Sequence, residues 1–155
     1  MVKKWCIIGL LVLCARPVFA SNCWQIAGQR FDINPRLLYA IAEQESGLNA
    51  SAIHYNSNGT YDIGLMQINS AHLPSLKAEG VTKESLLHDP CQSTMVGAFI
   101  LSGYIKQFGR TWEAVGAYNA GGAPDRSHLR ARYAKEIWTR YQQLLAKGST
   151  ARYPK

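Results

Sequence analysis

The sequence predicts a mainly α-helical domain with one small β-hairpin. Two dipeptides, Asn34-Pro35 and Asp89-Pro90, each join a helix-capping residue to a proline at the first helical position, and apolar residues at helical spacing follow both. Between them, Asp62 lies between two apolar residues in a period-two pattern that follows a turn-rich segment, which favours a short hairpin. The fold class is therefore mainly α, with at most a small β element.

Start and stop signals divide the chain into successive helices. The predicted segments are Cys23 to Phe31, Pro35 to a stop at Gly47, a weak helix from Ser70 to Glu79 interrupted by Pro74, Cys91 to Phe108, Trp112 to Asn119, and His128 to Lys147. The apolar spacing places Ile26 on the inner side of the first helix and Phe99 on the inner side of the longest.

The N-terminus predicts an export signal over residues 1–20. Lys3 and Lys4 precede an apolar run from Ile7 to Leu13, and Ala20 ends a small-residue cleavage pattern. The run is shorter than the roughly 20 residues of a spanning helix, so no stable membrane insertion is expected after cleavage. A lipid anchor on Cys14 is less favoured because a large residue precedes it. Residues 21–155 then form one domain, since no linker or internal repeat divides them.

The charge and the cysteine content limit which partners and ligands are expected. The formal net charge is +7, and removing the three basic residues of the leader lowers it to +4, which suits an acidic polymer such as a cell wall and requires no nucleic acid. Cys23 and Cys91 remain after export and predict one disulfide, which would contribute roughly 4 kcal/mol. Two free thiols are the alternative. A metal site is less favoured because the histidines do not cluster, and no cofactor is indicated.

Glu45 is the main candidate for chemistry. It falls in the last turn of a mostly buried helix, where loss of hydration and the negative end of the helix dipole both raise the pKa of a carboxyl group. A general acid that works near neutral pH needs such a shift. The ordinary alternative is a solvated glutamate, as expected for Glu43.

Three motifs resemble one enzyme family. Ala40-Ile41-Ala42-x-x-Glu45-Ser46-Gly47, Gly64-Leu65-Met66-Gln67-Ile68 and Ala117-Tyr118-Asn119-Ala120-Gly121 occur in the order and approximate spacing of the soluble lytic transglycosylase catalytic domain. The resemblance covers roughly Cys23 to Leu145. The small exported form with a cysteine pair is similar to the specialised transglycosylases of secretion, conjugation and type IV pilus systems.

That resemblance implies a lysozyme-like fold and peptidoglycan glycan strands as substrate, and the export signal predicts a periplasmic location. Glu45 would be the catalytic acid and base that cleaves the bond between N-acetylmuramic acid and N-acetylglucosamine and closes a 1,6-anhydro ring. A component of a type III or type IV secretion, conjugation or pilus system is the implied partner. The implied substrate-binding residues are Ser46, Met66, Gln67, Tyr118, Asn119 and Tyr133, with Met66 beneath the sugar and Tyr133 orienting the acid.

Asp62 departs from the common pattern of that family. The segment from Asn58 to Ser70 is also similar to the active-site hairpin of animal C-type lysozymes, in which two carboxylates divide the work. Asp62 is therefore a second catalytic candidate, as a nucleophile or as an electrostatic stabiliser. A solvent-facing aspartate is the alternative.

Other outcomes stay open at this point. The cleft residues could be ordinary core or turn residues, and the protein could be a lysozyme-type hydrolase or a non-catalytic peptidoglycan-binding assembly factor. The basic side chains near the last helix are expected to form a solvated face, with a docking surface for anionic glycan or a secretion component as the minority alternative. They are Arg126, Arg130, Arg132, Lys135 and Arg140.

Overall fold

A computed structural model describes residues 19–147. Residues 1–18, which contain most of the predicted export signal, and residues 148–155 lie outside the described part, so cleavage after Ala20 stays a prediction. Within residues 19–147, no helix has both the length and the apolar character needed to cross a bilayer.

Seven α-helices and a three-stranded sheet make up the described part. The helices are α1 Phe19–Phe31, α2 Pro35–Ser46, α3 Leu73–Leu76, α4 Lys83–His88, α5 Pro90–Phe108, α6 Trp112–Ala120 and α7 Ser127–Lys147. The strands β1 Ile53–Tyr55, β2 Tyr61–Ile63 and β3 Ile68–Asn69 pair antiparallel in that order. Short 3₁₀ turns cover Ser70–His72, Lys77–Glu79 and Pro124–Arg126. The expected mainly α class with a small β element is confirmed, and the hairpin has a third strand.

The two cap-and-proline signals begin helices as predicted. The Asn34 side chain accepts a hydrogen bond from the Arg36 amide at 2.9 Å, and the Asp89 side chain accepts from the first amides of α5. α2 ends at Gly47, whose left-handed backbone suits a residue without Cβ. These signals fix both ends of α2 and the start of α5, the two helices that border the central core.

The core surrounds α2, which packs against α1, α5 and α7. Leu38 and Ile41 of α2 are completely buried, as are Leu101 of α5 and Ile137 of α7. Cys23 and Cys91 form a disulfide that ties α1 to the start of α5, with their Cα atoms 5.1 Å apart. The structure therefore has the predicted disulfide and not two free thiols.

Two inner-face predictions are wrong. Ile26 is 47% exposed because the buried stripe of α1 runs through Cys23, Trp24 and Ala27, and Ile26 lies beside it. Phe99 is 51% exposed because α5 turns its small and medium residues inward, which lets α1 and α6 approach closely. Its ring contacts that of Phe31 on the surface instead.

The predicted basic face is also corrected. Arg130 is buried, and its guanidinium group is paired with Glu113 at 2.9 Å and donates to the Ala123 carbonyl at 2.7 Å. Arg140 is paired with Glu43. A buried guanidinium needs such partners, so Arg130 holds α6 against α7 and presents no charge to a docking partner.

Candidate active site

The last turn of α2 carries Glu45 to the edge of the core. The Gly47 amide closes the helix on the carbonyls of Ala42 and Glu43. Next to the acid, the Ser46 hydroxyl donates to the Leu65 carbonyl at 2.7 Å. The helix end is thereby fixed to the segment that follows β2.

That segment, Gly64 to Gln67, forms a tight turn between β2 and β3. Gly64 has a φ of 72° and Gln67 a φ of 48°. The Gln67 side chain stabilises the turn, since its amide nitrogen donates to the Gly64 carbonyl at 2.9 Å and to the Ala52 carbonyl at 3.2 Å. The backbone of Met66 bonds to α5 and α6, with its amide donating to the Ser93 hydroxyl at 3.1 Å and its carbonyl accepting from the Tyr118 hydroxyl at 2.9 Å.

The sheet holds Asp62 in a fixed position. Asp62 is opposite His54 on β1 and Asn69 on β3. The side-chain amide of Asn69 donates to one carboxylate oxygen at 2.7 Å, and that of Asn56 donates to the other at 3.0 Å. Both oxygens are therefore held in place by neutral side-chain donors.

Glu45 and Asp62 line one cavity of about 320 Å³. Most of its wall is polar, as expected for a site that binds hydroxyl and amide groups. The lining residues are Glu45, Asn56, Asn58, Thr60, Asp62, Gln67, Ile68, Asn69, His72, Ile100, Tyr118, Asn119 and Arg126.

The pKa of Glu45 is raised from 4.5 to about 7. Burial of the carboxyl group is the largest cause, and the negative charge of Asp62 acts in the same direction. The Tyr133 hydroxyl donates a hydrogen bond to Glu45 Oε1 and opposes the shift. Oε2 accepts no hydrogen bond from the described residues, which leaves this oxygen available to a ligand.

Two tyrosines surround the acid. Burial raises the pKa of Tyr133 and that of Tyr118 well above the ordinary value, and the charge of Glu45 adds to both shifts. Both hydroxyl groups therefore stay protonated at neutral pH and act as donors, Tyr133 to Glu45 and Tyr118 to the Met66 carbonyl.

The predicted site residues do not all reach the cavity. Its wall includes both carboxylates together with Gln67, Tyr118 and Asn119. Tyr133 lies behind Glu45 and lines a second cavity. Met66 is completely buried, so it lies below the cleft floor, where its apolar side chain packs under Gly97 and Tyr118. Ser46 lines neither cavity and acts through its bond to Leu65.

Several polar residues of the two cavities were not singled out from the sequence. They are Asn56, Asn58, Thr60, Asn69 and His72 in the first and Gln44 and Glu136 in the second, whereas Arg126 and Arg132, which line one cavity each, were expected as part of a basic face. The repeated Asn and Thr around Asp62 were a usable signal, because short polar side chains on a hairpin converge on one face. Among residues 19–147, no group of three or more His, Cys, Asp or Glu side chains is arranged to bind a metal ion.

A mainly helical domain with a small sheet and a partly buried acid at a polar cleft defines the lysozyme-like class. The family model described as the transglycosylase SLT domain matches residues 22–141, and the chain belongs to this family. A transglycosylase-type role follows from that membership.

Curated relatives carry names linked to invasion and to peptidoglycan. The chain is 53% identical over 131 residues to the invasion protein IagB of Salmonella typhimurium, covering 84% of this chain and 81% of that one. It is 44% identical over 139 residues to protein IpgF of Shigella flexneri, covering 89% and 91%. A peptidoglycan-binding-like protein of Escherichia coli O157:H7 is 40% identical over 151 residues, covering 92% and 90%.

A solved structure has the same fold. It is an inactive mutant of the lytic transglycosylase Slt from Pseudomonas aeruginosa, which superposes with a TM-score of 0.64 at 20% identity. The match covers 84% of this chain and 25% of that longer one. The expected lysozyme-like fold is confirmed.

Proposed function

We propose that this protein is a peptidoglycan lytic transglycosylase. It cleaves the β-1,4 bond between N-acetylmuramic acid and N-acetylglucosamine and leaves a 1,6-anhydromuramic acid end. The observation that carries the proposal is the state of Glu45, whose carboxyl group has a pKa of about 7 and an unbonded Oε2 at the cavity wall. At neutral pH such a group is present in both protonation states, as an acid that becomes a base requires.

Glu45 would act twice in the reaction. In its protonated form it gives the proton to the glycosidic oxygen, and the bond from that oxygen to the anomeric carbon of muramic acid breaks. The resulting carboxylate then takes the proton of the C6 hydroxyl of the same sugar, whose oxygen bonds to the anomeric carbon. The acid is regenerated and no water is consumed.

Asp62 would assist this reaction through its charge. Its carboxylate lies on the wall of the same cavity, and two side-chain amide donors orient it. A fixed negative charge stabilises the positive charge that develops at the anomeric carbon in the transition state.

The position of Asp62 in the same cavity as Glu45 favours hydrolysis as a second candidate function. A paired carboxylate could serve as nucleophile or could help direct a water molecule, as in glycosidases that use two acidic residues. The product would then carry a free reducing end, which is heavier than the anhydro product by one water.

We also propose a location and a biological setting. Residues 1–20 would direct export, and the domain of residues 21–155 would act in the periplasm. The name of the Salmonella relative, an invasion protein, supports a role in opening the wall locally for an invasion-associated secretion, conjugation or pilus apparatus.

Mass spectrometry of the products tests the activity. The mature chain, incubated with purified peptidoglycan, should release anhydromuropeptides, and Glu45→Gln should reduce the rate by at least ~100-fold. Glu43→Gln is the matched control, because Glu43 is on the same helix but faces Arg140. Products one water heavier would establish the hydrolase. If Glu45→Gln kept full activity or full biological effect, the protein would instead be a non-catalytic binding or assembly factor.

A further inference from the structure

A second cavity, of about 350 Å³, lies on the other side of Glu45 from Asp62. It is formed between the end of α2, the end of α6 and the first half of α7, and it shares Glu45 and Asn119 with the first cavity. Most of the wall is polar, and it contains Gln44, Glu45, Asn119, Arg132, Tyr133 and Glu136. A ligand bound at Glu45 can therefore extend into either cavity.

Arg132 brings an uncompensated guanidinium group to this cavity. Within residues 19–147 it forms no ion pair and no hydrogen bond, whereas Arg110, Arg130 and Arg140 are each paired with a carboxylate. A guanidinium group binds a carboxylate with two parallel hydrogen bonds, which makes it selective for that planar anion.

Glu136 follows Arg132 by one helical turn on the same wall. One of its carboxylate oxygens accepts from the Gln44 amide at 2.9 Å, and the Gln44 carbonyl accepts from the Arg140 guanidinium at 2.6 Å. This chain of contacts holds Glu136 toward α2. Opposite charges four residues apart on a helix commonly meet, but Arg132 and Glu136 form no ion pair in the described structure.

The wall therefore offers an open cation and an open anion side by side. A simple anion would be drawn to Arg132 but repelled by Glu136. A zwitterionic group satisfies both side chains, with its carboxylate on Arg132 and its ammonium on Glu136. In peptidoglycan, the stem peptides attached to muramic acid carry free carboxylate and amino groups, and sugars alone carry no ammonium group.

We infer that the cavity formed by Arg132, Tyr133 and Glu136 binds the zwitterionic amino-acid part of a stem peptide while the glycan occupies the cleft at Glu45. The inference rests on the proposed function and specifies its substrate as strands that still bear peptides. Arg132 and Glu136 are substrate-binding residues on this account, and neither takes part in proton transfer.

The test compares three substrates. The first is peptidoglycan with its stem peptides, the second is the same glycan after enzymatic removal of the peptides, and the third is the first with its free amines acetylated. The variants are Arg132→Met and Glu136→Gln. The glutamine at position 136 keeps a carbonyl oxygen that can accept the hydrogen bond from the Gln44 amide. Lys106→Met is the control, since it removes an exposed cation of α5 that borders neither cavity.

Both variants should lower kcat/KM about tenfold on peptide-bearing strands, mainly through KM, and should match the wild type on strands without peptides. On acetylated strands, Glu136→Gln should equal the wild type, because the ammonium group is gone, while Arg132→Met should still differ from it. Lys106→Met should follow the wild type throughout.

Unchanged kcat/KM on peptide-bearing strands, or an equal loss on strands without peptides, would overturn the inference. The second outcome would assign Arg132 to the carboxylate of muramic acid itself or to a structural role. Thermal unfolding checks that each variant folds, and Arg132→Gln replaces Arg132→Met if it does not. Binding of peptide-bearing strands in the Glu45→Gln background separates the two proposals, since recognition of the peptide can hold even where cleavage does not occur.

Discussion

The hydroxyl group of Tyr133 on α7 donates a hydrogen bond to the carboxyl group of Glu45 on α2, although 88 residues separate them in the sequence. The two helices pack directly against each other, and this contact fixes one oxygen of the acid while the residue lines the cleft. The pKa of Glu45 therefore reflects a balance between burial, which raises it, and the Tyr133 hydroxyl, which lowers it.

The first prediction concerns stability. The pKa of Glu45 rises from 4.5 to about 7 on folding. A pKa that is higher in the folded state gives stability that is present below pH 4.5 and is lost as the pH rises through 7. Gln does not titrate. Glu45→Gln should therefore match the wild type in free energy of unfolding at pH 4 and exceed it by about 3 kcal/mol at pH 8.

Urea denaturation of both proteins at pH 4, 6 and 8 checks this expectation. The difference between the two proteins isolates Glu45 from the other titrating groups, which they share. A Glu45→Gln protein that is less stable than the wild type at pH 8 would contradict the raised pKa.

Tyr133→Phe tests the contact with the acid. Loss of the hydroxyl removes the interaction that lowers the pKa of Glu45, so this pKa should rise above about 7. The protonated acid then persists to higher pH, and the alkaline limb of the pH–rate profile should move upward. The turnover rate should fall about tenfold because the carboxyl group is less well oriented.

A pH–rate series with Tyr141→Phe as control distinguishes this role from simple packing. Tyr141 is on the same helix, and its ring contacts Trp112, away from the cleft. A lower rate with an unmoved alkaline limb would show that Tyr133 supports the fold without acting on Glu45.

Asp62→Asn removes a charge from the cleft. Because Asp62 raises the pKa of Glu45, the alkaline limb should move to lower pH, opposite to the shift in Tyr133→Phe. We expect the rate to fall about tenfold through lost electrostatic stabilisation, with anhydro products retained. Product analysis and a pH–rate profile measure both effects. Complete inactivation of an enzyme that makes hydrolysed products would instead assign Asp62 an essential role in hydrolysis.

Local signals in the sequence predicted much of the fold. Capping residues followed by proline start α2 and α5, and Gly47 ends α2, because these effects depend on neighbouring residues alone. α4 was missed, although Thr82 forms a capping box with Ser85, because only a few apolar residues follow it. The exposure of Phe99 depends on which helices pack against α5, and spacing along one helix does not contain that information.

Residues of the candidate site could be named from the sequence where they belong to short motifs. Glu45, Gln67 and Tyr118 fall in such motifs, and all three line the first cavity. The cavity beside Arg132 was not foreseen, because it arises where α2, α6 and α7 meet. The burial of Arg130 likewise depends on Glu113 of another helix. The sequence therefore does not distinguish Arg130 from the exposed basic residues of α7.

The last prediction concerns the turn from Gly64 to Gln67, which includes Met66 below the cleft. Gly64 has a left-handed backbone conformation, and a Cβ atom there would overlap the carbonyl oxygen of Leu86 and lie 3.3 Å from that of Ala50. Gly64→Ala should combine backbone strain with a clash against two rigid backbones, which predicts a loss of at least about 2 kcal/mol in the free energy of unfolding.

Gly103→Ala is the matched control. Gly103 is an exposed residue of α5, and a Cβ atom there would meet nothing within 4 Å. Alanine restricts the unfolded chain and favours the helix, so this variant should gain about 0.5 to 1 kcal/mol. Denaturant unfolding measures both variants under the same conditions. If Gly64→Ala is as stable as Gly103→Ala, the segment from Gly64 to Gln67 can relax without cost, and a fixed turn beneath Glu45 is excluded.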